Sequence, residues 1–181
     1  MVTMSEVPVS ASAAAHTIIK TSLGDLTTVV RDGSVSGLYF PHHWHMPDRA
    51  SLGEYRDAGF ANVFDDVRKQ LSEYLAGERR GFEVPVHAAG SPLQQRVWHL
   101  IGQIPYGATV SYGELARELG GEITAQEAGA AVGRNPVSII IPCHRVVGAD
   151  GGLTGYAGGL RRKRTLLDLE QDAAGRSARL F

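Results

Sequence analysis

The stretch Asn-Pro-Val-Ser-Ile-Ile-Ile-Pro-Cys-His-Arg-Val, residues 135–146, decides how the second half of the chain folds. Asn135-Pro136 breaks a preceding helix, because proline cannot continue one. The apolar run at 137–141 then predicts a buried strand, and Pro142 ends that strand abruptly. Cys143, the single cysteine of the chain, is therefore predicted to lie at the mouth of a rigid element.

Cys143 has two interpretations. A lone cysteine cannot form an internal disulfide or a cysteine-rich zinc site, and it is most often a small buried hydrophobe. The alternative is a nucleophile, because the thiolate is the reactive form and a nearby His or Arg lowers the thiol pKa. His144 follows directly, but adjacent residues on a strand point apart. His144 would therefore need a turn or a water to reach the sulfur.

Three helix starts precede this stretch, each with a capping box in which Ser or Thr is followed three residues later by Gln or Glu. They are Ser-Pro-Leu-Gln (91–94), Ser-Tyr-Gly-Glu (111–114) and Thr-Ala-Gln-Glu (124–127). The last two begin short helices, at about 112–119 and 125–133, joined by Gly120-Gly121. This pattern is typical of a helix-turn-helix, and also of any helical hairpin. The small side chains of the second helix favour a close approach to DNA or to the protein core.

After a glycine-rich segment, a last helix is predicted to begin near Leu160. Leu160 and Leu167 share a face of that helix with Glu170. A buried carboxylate is costly unless it is paired. Glu170 is therefore either exposed at a frayed helix end or buried and paired with His144. The basic run at 161–164 is either a solvated face or a phosphate contact.

The first half predicts an α+β unit without catalytic residues. It contains a β-meander over 17–40, an irregular segment at 41–57, a helix over 60–76 ended by Gly77, and a short strand at 82–86. His42, His43 and His45 are either a metal site or part of an exposed loop. No matching ligand cluster follows them in the sequence.

Composition favours a soluble globular protein of one ordinary domain or two small ones. Of 181 residues, 43% are hydrophobic and 20% are charged, and no apolar run approaches the roughly 18 residues that span a bilayer. Residues 1–15 lack the basic start of a signal peptide, so they are predicted to be a flexible leader of a cytoplasmic protein. Residues 1–90 carry a net charge of −3 and residues 91–181 one of +2. If DNA is a partner, the second half is expected to face it.

From about 91 to 170 the sequence resembles the O6-alkylguanine-DNA alkyltransferases, also called methylated-DNA–protein-cysteine methyltransferases. Besides Asn-Pro (135–136) and Pro-Cys-His-Arg-Val (142–146), the matching segments are Gln-Arg-Val-Trp (95–98), Ile-Pro-Tyr-Gly (104–107), Ser-Tyr-Gly-Glu (111–114) and Gly-Tyr-Ala-Gly-Gly (155–159). The resemblance implies an α+β fold. In that fold an N-terminal α/β domain, a ribonuclease-H-like roll, precedes a mostly helical C-terminal domain with a winged helix-turn-helix. The predicted division is a leader at 1–15, domains at 16–88 and 91–171, and a tail at 172–181.

The resemblance also implies a catalytic set. Cys143 accepts an alkyl group irreversibly from O6-alkylguanine, and from O4-alkylthymine, in double-stranded DNA. His144 and Glu170 complete a Cys–water–His–Glu relay that generates the thiolate. Asn135 is the hinge between the helix-turn-helix and the active-site segment, and Tyr112 helps rotate the target nucleotide and donates to guanine N3. No metal or organic cofactor is implied.

The resemblance also implies how the protein contacts DNA. It binds in the minor groove and rotates the target base out of the duplex. The pocket for the guanine is lined by Val146, through its carbonyl, together with Tyr156 and Ala157. The residues expected at the DNA are Ala125, Gln126, Gly129, Ala130, Arg134 and Lys163. Gln126 stands where the family usually has an arginine finger, which predicts weaker extrusion of the base, with Arg134 as a partial substitute. A monomer without membrane contact is expected, and cooperative binding to DNA stays open.

Three other functions compete with this one. A cysteine hydrolase using Cys143, His144 and Glu170 predicts multiple turnovers and an oxyanion hole. A lesion sensor predicts binding without alkylation, although sensors that resemble this family lack the cysteine. A helix-turn-helix transcription factor predicts sequence-specific binding, which small minor-groove contacts rarely provide.

Overall fold

The computed structural model describes residues 14–56 and 62–178, which form a mixed α+β fold with five α-helices and two sheets. Most of the predicted leader, residues 1–13, lies outside the described residues. The N-terminal sheet has the strand order β3-β2-β1-β4. Its strands are β1 (Ala15–Thr21), β2 (Gly24–Arg31), β3 (Ser34–Tyr39) and β4 (Glu54–Tyr55). No helix among the described residues combines the length and the apolar character needed to cross a membrane.

The predicted β-meander is confirmed. β1 and β2 pair antiparallel, as do β2 and β3. Asp32 and Gly33 join β2 to β3 with φ values of 50° and 71°, which a two-residue hairpin turn of this hand requires. β4, within the segment predicted as irregular, adds to the free edge of β1 in parallel. Just before it, a 3-10 turn spans Arg49–Leu52.

The first helix, α1 (Asn62–Leu75), covers one face of the sheet. It buries Phe64, Val67, Leu71 and Tyr74 completely, and Gly77 follows it at φ 75°, as predicted for a glycine that ends a helix. The first two residues of the predicted helix, 60 and 61, lie outside the described residues. The predicted strand at 82–86 is wrong, because only Val86 pairs, in a single bridge to Val35. Pro85 has no N–H to continue a ladder.

The second half begins with α2 (Pro92–Gly102), α3 (Tyr112–Glu118) and α4 (Ala125–Gly133). All three predicted capping boxes form with both of their hydrogen bonds. Two short strands, β5 (Val110–Ser111) and β6 (Val146–Val147), pair in parallel. The last helix, α5 (Leu160–Ala178), begins where predicted and continues past residue 171.

The predicted strand at 137–141 is wrong. These residues form a compact turn in which Ile140 N–H donates to the Ser138 carbonyl at 2.8 Å and Ile141 N–H to the Val137 carbonyl at 3.0 Å. Ile139 has a φ of 70°, a strained value for a β-branched residue. The apolar side chains are largely buried because the turn passes through the core, rather than because a sheet covers them.

One hydrophobic core joins the two halves of the chain. The edge strand β3 reaches the turn at 137–141, where Leu38 N–H donates to the Pro136 carbonyl at 2.8 Å. Ser138 N–H donates back to the Leu38 carbonyl at 3.1 Å. The N-terminal sheet therefore supports the segment that leads to Cys143.

Candidate active site

Cys143 lies at the start of a 3-10 turn, Cys143–Arg145, and is 5% exposed. Asn135 shapes the approach to it. The Asn135 amide donates to the Ile141 carbonyl at 2.9 Å, and its oxygen accepts from Val137 N–H at 3.0 Å. Asn135 thus connects the end of α4 to the segment before the cysteine, which is the position predicted for the hinge.

His144 and Glu170 form a buried pair, so the paired alternative for Glu170 is the one observed. Nε2 of His144 lies 2.8 Å from Oε1 of Glu170, and neither side chain is exposed. Because the carboxylate accepts at Nε2, that nitrogen carries the proton, and Nδ1 is left with its lone pair. Nδ1 is also buried and has no hydrogen-bond partner among the described residues.

Glu170 is held by three further groups. The Arg145 guanidinium binds the Glu170 carboxylate in a bidentate manner, with Nη2 2.9 Å from Oε1 and Nε 3.0 Å from Oε2. Gly107 N–H donates at 2.8 Å, and the hydroxyl of Tyr74 donates from α1. Burial alone would raise the pKa of Glu170, but the hydrogen bonds from His144 and Arg145 outweigh it and lower that pKa to about 2. Glu170 is therefore ionised.

Burial favours the uncharged forms of both the sulfur and the imidazole. Burial raises the pKa of the Cys143 thiol, and a hydrogen bond from Asn135 and the positive charge of Lys163 oppose that rise. Burial lowers the pKa of His144 against the opposing effect of Glu170. Forming the thiolate therefore requires a proton acceptor, and the unpartnered Nδ1 of His144, the next residue in the chain, can serve as one.

Lys163, from the basic run at 161–164, is fully buried. Its Nζ donates to the carbonyls of Val146 at 2.6 Å, Thr154 at 3.0 Å and Gly155 at 3.2 Å. Burial lowers its pKa to about 8. The structure thus places the carbonyl of Val146, predicted to face the guanine, against Lys163. Within the run, only Arg161 and Arg164 form an exposed face.

A cavity of about 50 Å³ opens in front of Cys143. It brings together most of the residues predicted for catalysis and for the guanine pocket. Its lining is formed by Trp44, Tyr112, Gly129, Val132, Gly133, Asn135, Cys143, Gly155, Tyr156 and Ala157. The Tyr112 hydroxyl donates to the Thr154 carbonyl at 3.0 Å, and Tyr156 is buried against Phe40, with ring centroids 6.0 Å apart.

The outer face of α4 carries the residues predicted to contact DNA. Ala125, Gln126 and Ala130 are exposed, as is Arg134 at the end of the helix. Gly129 is half-buried, and a Cβ added there would lie 3.4 Å from the Tyr112 ring. The small side chains therefore leave α4 free to approach another surface and leave room for Tyr112 beneath it.

Tyr74 and Arg145 also belong to the site, although neither was predicted from the sequence. Arg145 also donates from Nη1 to the Ile104 carbonyl at 2.6 Å, so it ties Glu170 to the segment after α2. Arg145 lies inside the Cys-His-Arg motif, which could have indicated its importance. No local signal marks Tyr74, whose position on α1 predicts only core packing.

The histidine-rich segment does not form a metal site among the described residues, where no three His, Cys, Asp or Glu side chains are placed to hold an ion. His42 and His45 are exposed, whereas His43 is buried against Tyr39 with ring centroids 5.3 Å apart. Burial lowers the pKa of His43 to about 4. The alternative of an exposed loop therefore fits two of the three histidines.

Comparison with known proteins gives a consistent result. Residues 92–172 match the family described as 6-O-methylguanine DNA methyltransferase, DNA binding domain. The chain is 41% identical to the methylated-DNA–protein-cysteine methyltransferase of Mycolicibacterium paratuberculosis, over 90% of this chain and 96% of that protein. It is also similar to the crystal structure of Mycobacterium tuberculosis OGT in complex with DNA, with a TM-score of 0.78 and 38% identity. That match covers 88% of this chain and 94% of the other.

Proposed function

Because the chain belongs to the methylated-DNA–protein-cysteine methyltransferase family, we propose that it repairs DNA by transferring an alkyl group from O6 of guanine to Cys143. The observation that carries this proposal is the buried pair of His144 and Glu170, 2.8 Å apart, which directly follows in the chain a cysteine that lines a cavity. A buried cysteine that lines a cavity and is followed in the chain by a proton acceptor fits a nucleophile that acts on a base rotated out of the duplex.

The reaction follows from the protonation states of these groups. Nδ1 of His144 takes the proton of the Cys143 thiol, through a water in the relay, and the Glu170 carboxylate stabilises the resulting imidazolium. The thiolate then attacks the alkyl carbon, the S–C bond forms, and the C–O6 bond breaks with its electron pair leaving on guanine. Tyr112 stabilises that charge by donating to N3 of the base. The thioether is not hydrolysed, so each molecule reacts once.

DNA is the partner in this proposal. The exposed small residues of α4 enter the minor groove, and Gln126 occupies the space left by the extruded base. Arg134, exposed at the other end of α4, is a partial substitute for the missing arginine. The protein acts as a monomer in the cytoplasm, with O4-alkylthymine as a second substrate and without a metal or organic cofactor. The finer fold description belongs to the same proposal: a ribonuclease-H-like roll at 16–88 and a winged helix-turn-helix domain at 91–171.

Stoichiometry tests the function directly. Incubated with excess duplex DNA containing O6-methylguanine, the protein is expected to gain one methyl group on the Cys143 peptide and then stop, as measured by mass spectrometry. The Cys143→Ser variant should gain none, and undamaged DNA should leave the wild-type peptide unchanged. Release of many products with an unmodified peptide would instead establish the hydrolase. Lesion binding that is unaffected by Cys143→Ala, with an unmodified wild-type peptide, would establish the sensor.

The Gln126→Arg variant tests the proposed extrusion step. Arginine adds a charge and a larger stacking surface in the space left by the flipped base, so transfer from duplex O6-methylguanine should be about tenfold faster, equivalent to about 1.4 kcal/mol. The control is the free base O6-benzylguanine, which needs no extrusion and should react at the wild-type rate. Equal rates on duplex DNA would show that Gln126 does not limit extrusion.

A further inference from the structure

Trp44 is the most exposed large hydrophobic side chain among the described residues, with 63% of its surface accessible. It belongs to the histidine-rich segment after β3, which the repair reaction described above does not use. His43 N–H donates to the Phe40 carbonyl at 3.2 Å, and Met46 N–H donates to the His43 carbonyl at 3.2 Å. These turns hold His43 inside the protein and place Trp44 on its surface.

The same indole lines the cavity in front of Cys143. Every other lining residue belongs to the second half of the chain, so Trp44 is the one contribution of the N-terminal half to the wall of this cavity, as far as the described residues extend. An exposed tryptophan at the mouth of a reactive cavity is placed to contact what enters, because its large rigid face gives extensive contact at little entropic cost.

The cavity is too small for a nucleobase as it stands. Its volume is about 50 Å³, much less than the roughly 300 Å³ or more of ordinary small-molecule sites. Three of its lining residues are held in place by hydrogen bonds. The Tyr112 hydroxyl is bonded to Thr154, the Gly155 carbonyl to Lys163, and the Asn135 side chain to the turn before Cys143. Among the lining residues that carry a side chain, Trp44 is the exposed one, and it lies on a turn outside the helices and strands, so its side chain is the one with room to turn aside.

We propose that Trp44 is a substrate-contacting residue, whose indole swings from the cavity mouth as the alkylated guanine enters and then stacks on the face of that base. This inference rests on the proposed repair function and deepens it. It assigns the N-terminal half a direct part in recognising the extruded purine. Aromatic stacking is a general means by which proteins hold a flipped or unstacked base.

Rate constants for alkyl transfer provide the first test. Trp44→Ala is expected to lower the second-order rate constant about tenfold for both methylated duplex DNA and free O6-benzylguanine, since stacking contributes to the binding of either substrate. Trp44→Phe, which keeps an aromatic face, should retain most of the rate. Met46→Ala is the matched control, because Met46 is exposed on the same segment but does not line the cavity. It should react like the wild type.

Fluorescence gives a readout that a purely structural role would not change. The chain has two tryptophans, and the other, Trp98, is buried and donates to the Ala131 carbonyl at 2.9 Å. In the unreactive Cys143→Ala background, duplex DNA with O6-methylguanine should quench the emission more than undamaged DNA does. Adding Trp44→Phe should abolish that lesion-dependent difference.

The outcomes separate the inference from the function on which it rests. If the wild type is alkylated on Cys143 but Trp44→Ala reacts at the same rate and no lesion-dependent quenching occurs, the stacking role is refuted while repair stands. If the wild type is not alkylated at all, both proposals fail. A slower Trp44→Ala, a near-normal Trp44→Phe and a quenching signal that depends on Trp44 together support the inference.

Discussion

Replacing Glu170 by glutamine is expected to destabilise the protein by about 3–5 kcal/mol, the usual result of removing one partner from a buried ion pair. The Arg145 guanidinium would keep the Ile104 carbonyl as a partner but lose the carboxylate fork that neutralises its charge. The neutral amide that replaces the carboxylate would also turn its NH2 donor toward one of two sets of donors, either Tyr74 and His144 or Gly107. Urea unfolding at neutral pH measures this change.

The acid dependence of stability gives the same prediction a second readout. The folded pKa of Glu170 is about 2, below its ordinary value of 4.5, so the folded state holds the carboxylate ionised where the unfolded chain would protonate it. The stabilisation is complete above pH 4.5 and is lost as the pH falls toward 2. Glu170→Gln lacks this contribution at every pH. The stability difference between the two proteins should therefore narrow as the pH falls below 4.5.

Alkyl transfer should fall as well, by at least about a hundredfold, the scale on which positioned acid–base groups contribute. The amide oxygen can still accept from Nε2 of His144, but no negative charge remains to stabilise the imidazolium that forms when Nδ1 accepts a proton. Asp168→Asn is the matched control, because Asp168 is an exposed carboxylate on the same helix. It should change neither stability nor rate. A folded Glu170→Gln protein that transfers at the wild-type rate would contradict the proposed relay.

The parts of the fold that the sequence predicted well are those with local causes. Each capping box joins residues only three positions apart, so Ser91, Ser111 and Thr124 mark their helices regardless of tertiary context. The hairpin at Asp32-Gly33 likewise depends on local backbone preferences. Elements with such signals are predictable from a single sequence.

The segment 137–141 shows why other parts of the fold were not predicted from the sequence. Its apolar run predicts burial correctly, but burial does not distinguish a strand from a turn that passes through the core. The deciding interactions are the Asn135 side chain, which bonds both Val137 and Ile141, and the contact with Leu38 on β3. The second of these joins residues about a hundred positions apart, which no local pattern reveals.

The active site likewise contains residues with a local sequence signal and residues that only tertiary contacts reveal. Cys143 and His144 lie in one short motif, and a carboxylate on the apolar face of α5 made Glu170 a candidate, which the family resemblance then assigned to the relay. Tyr74 and Trp44 come from the half of the chain in which no catalytic residue was predicted, and both reach the site through tertiary packing. On α1, Tyr74 has the spacing of a core residue, and its hydroxyl becomes informative only when Glu170 is seen beside it.

Lys163→Met is expected to slow alkyl transfer about a hundredfold and to destabilise the protein by about 2–3 kcal/mol. Methionine fills a similar space, but it removes the ammonium that donates to the carbonyls of Val146, Thr154 and Gly155. Leaving buried acceptors without partners accounts for the stability change. Lys163 thus joins the strand that follows Cys143 to the segment of Gly155, which lines the cavity, so its loss would also displace that part of the pocket wall.

The positive charge of Lys163 has a second effect, on the sulfur. It opposes the rise in the Cys143 thiol pKa that burial causes, so the variant should form its thiolate only at higher pH. Iodoacetamide labelling of Cys143 as a function of pH would detect this as a profile shifted to higher pH. Arg164→Met is the matched control, since Arg164 is the exposed neighbour in the same basic run.

These two measurements distinguish an electrostatic role for Lys163 from a structural one. If the charge acts on the sulfur, the labelling profile shifts and raising the pH restores part of the lost transfer rate. If Lys163 only holds the segments together, the profile stays in place and the rate is low at every pH. A variant that is as stable and as fast as Arg164→Met would show that neither role operates. The buried lysine would then have to be explained by contacts outside the reaction.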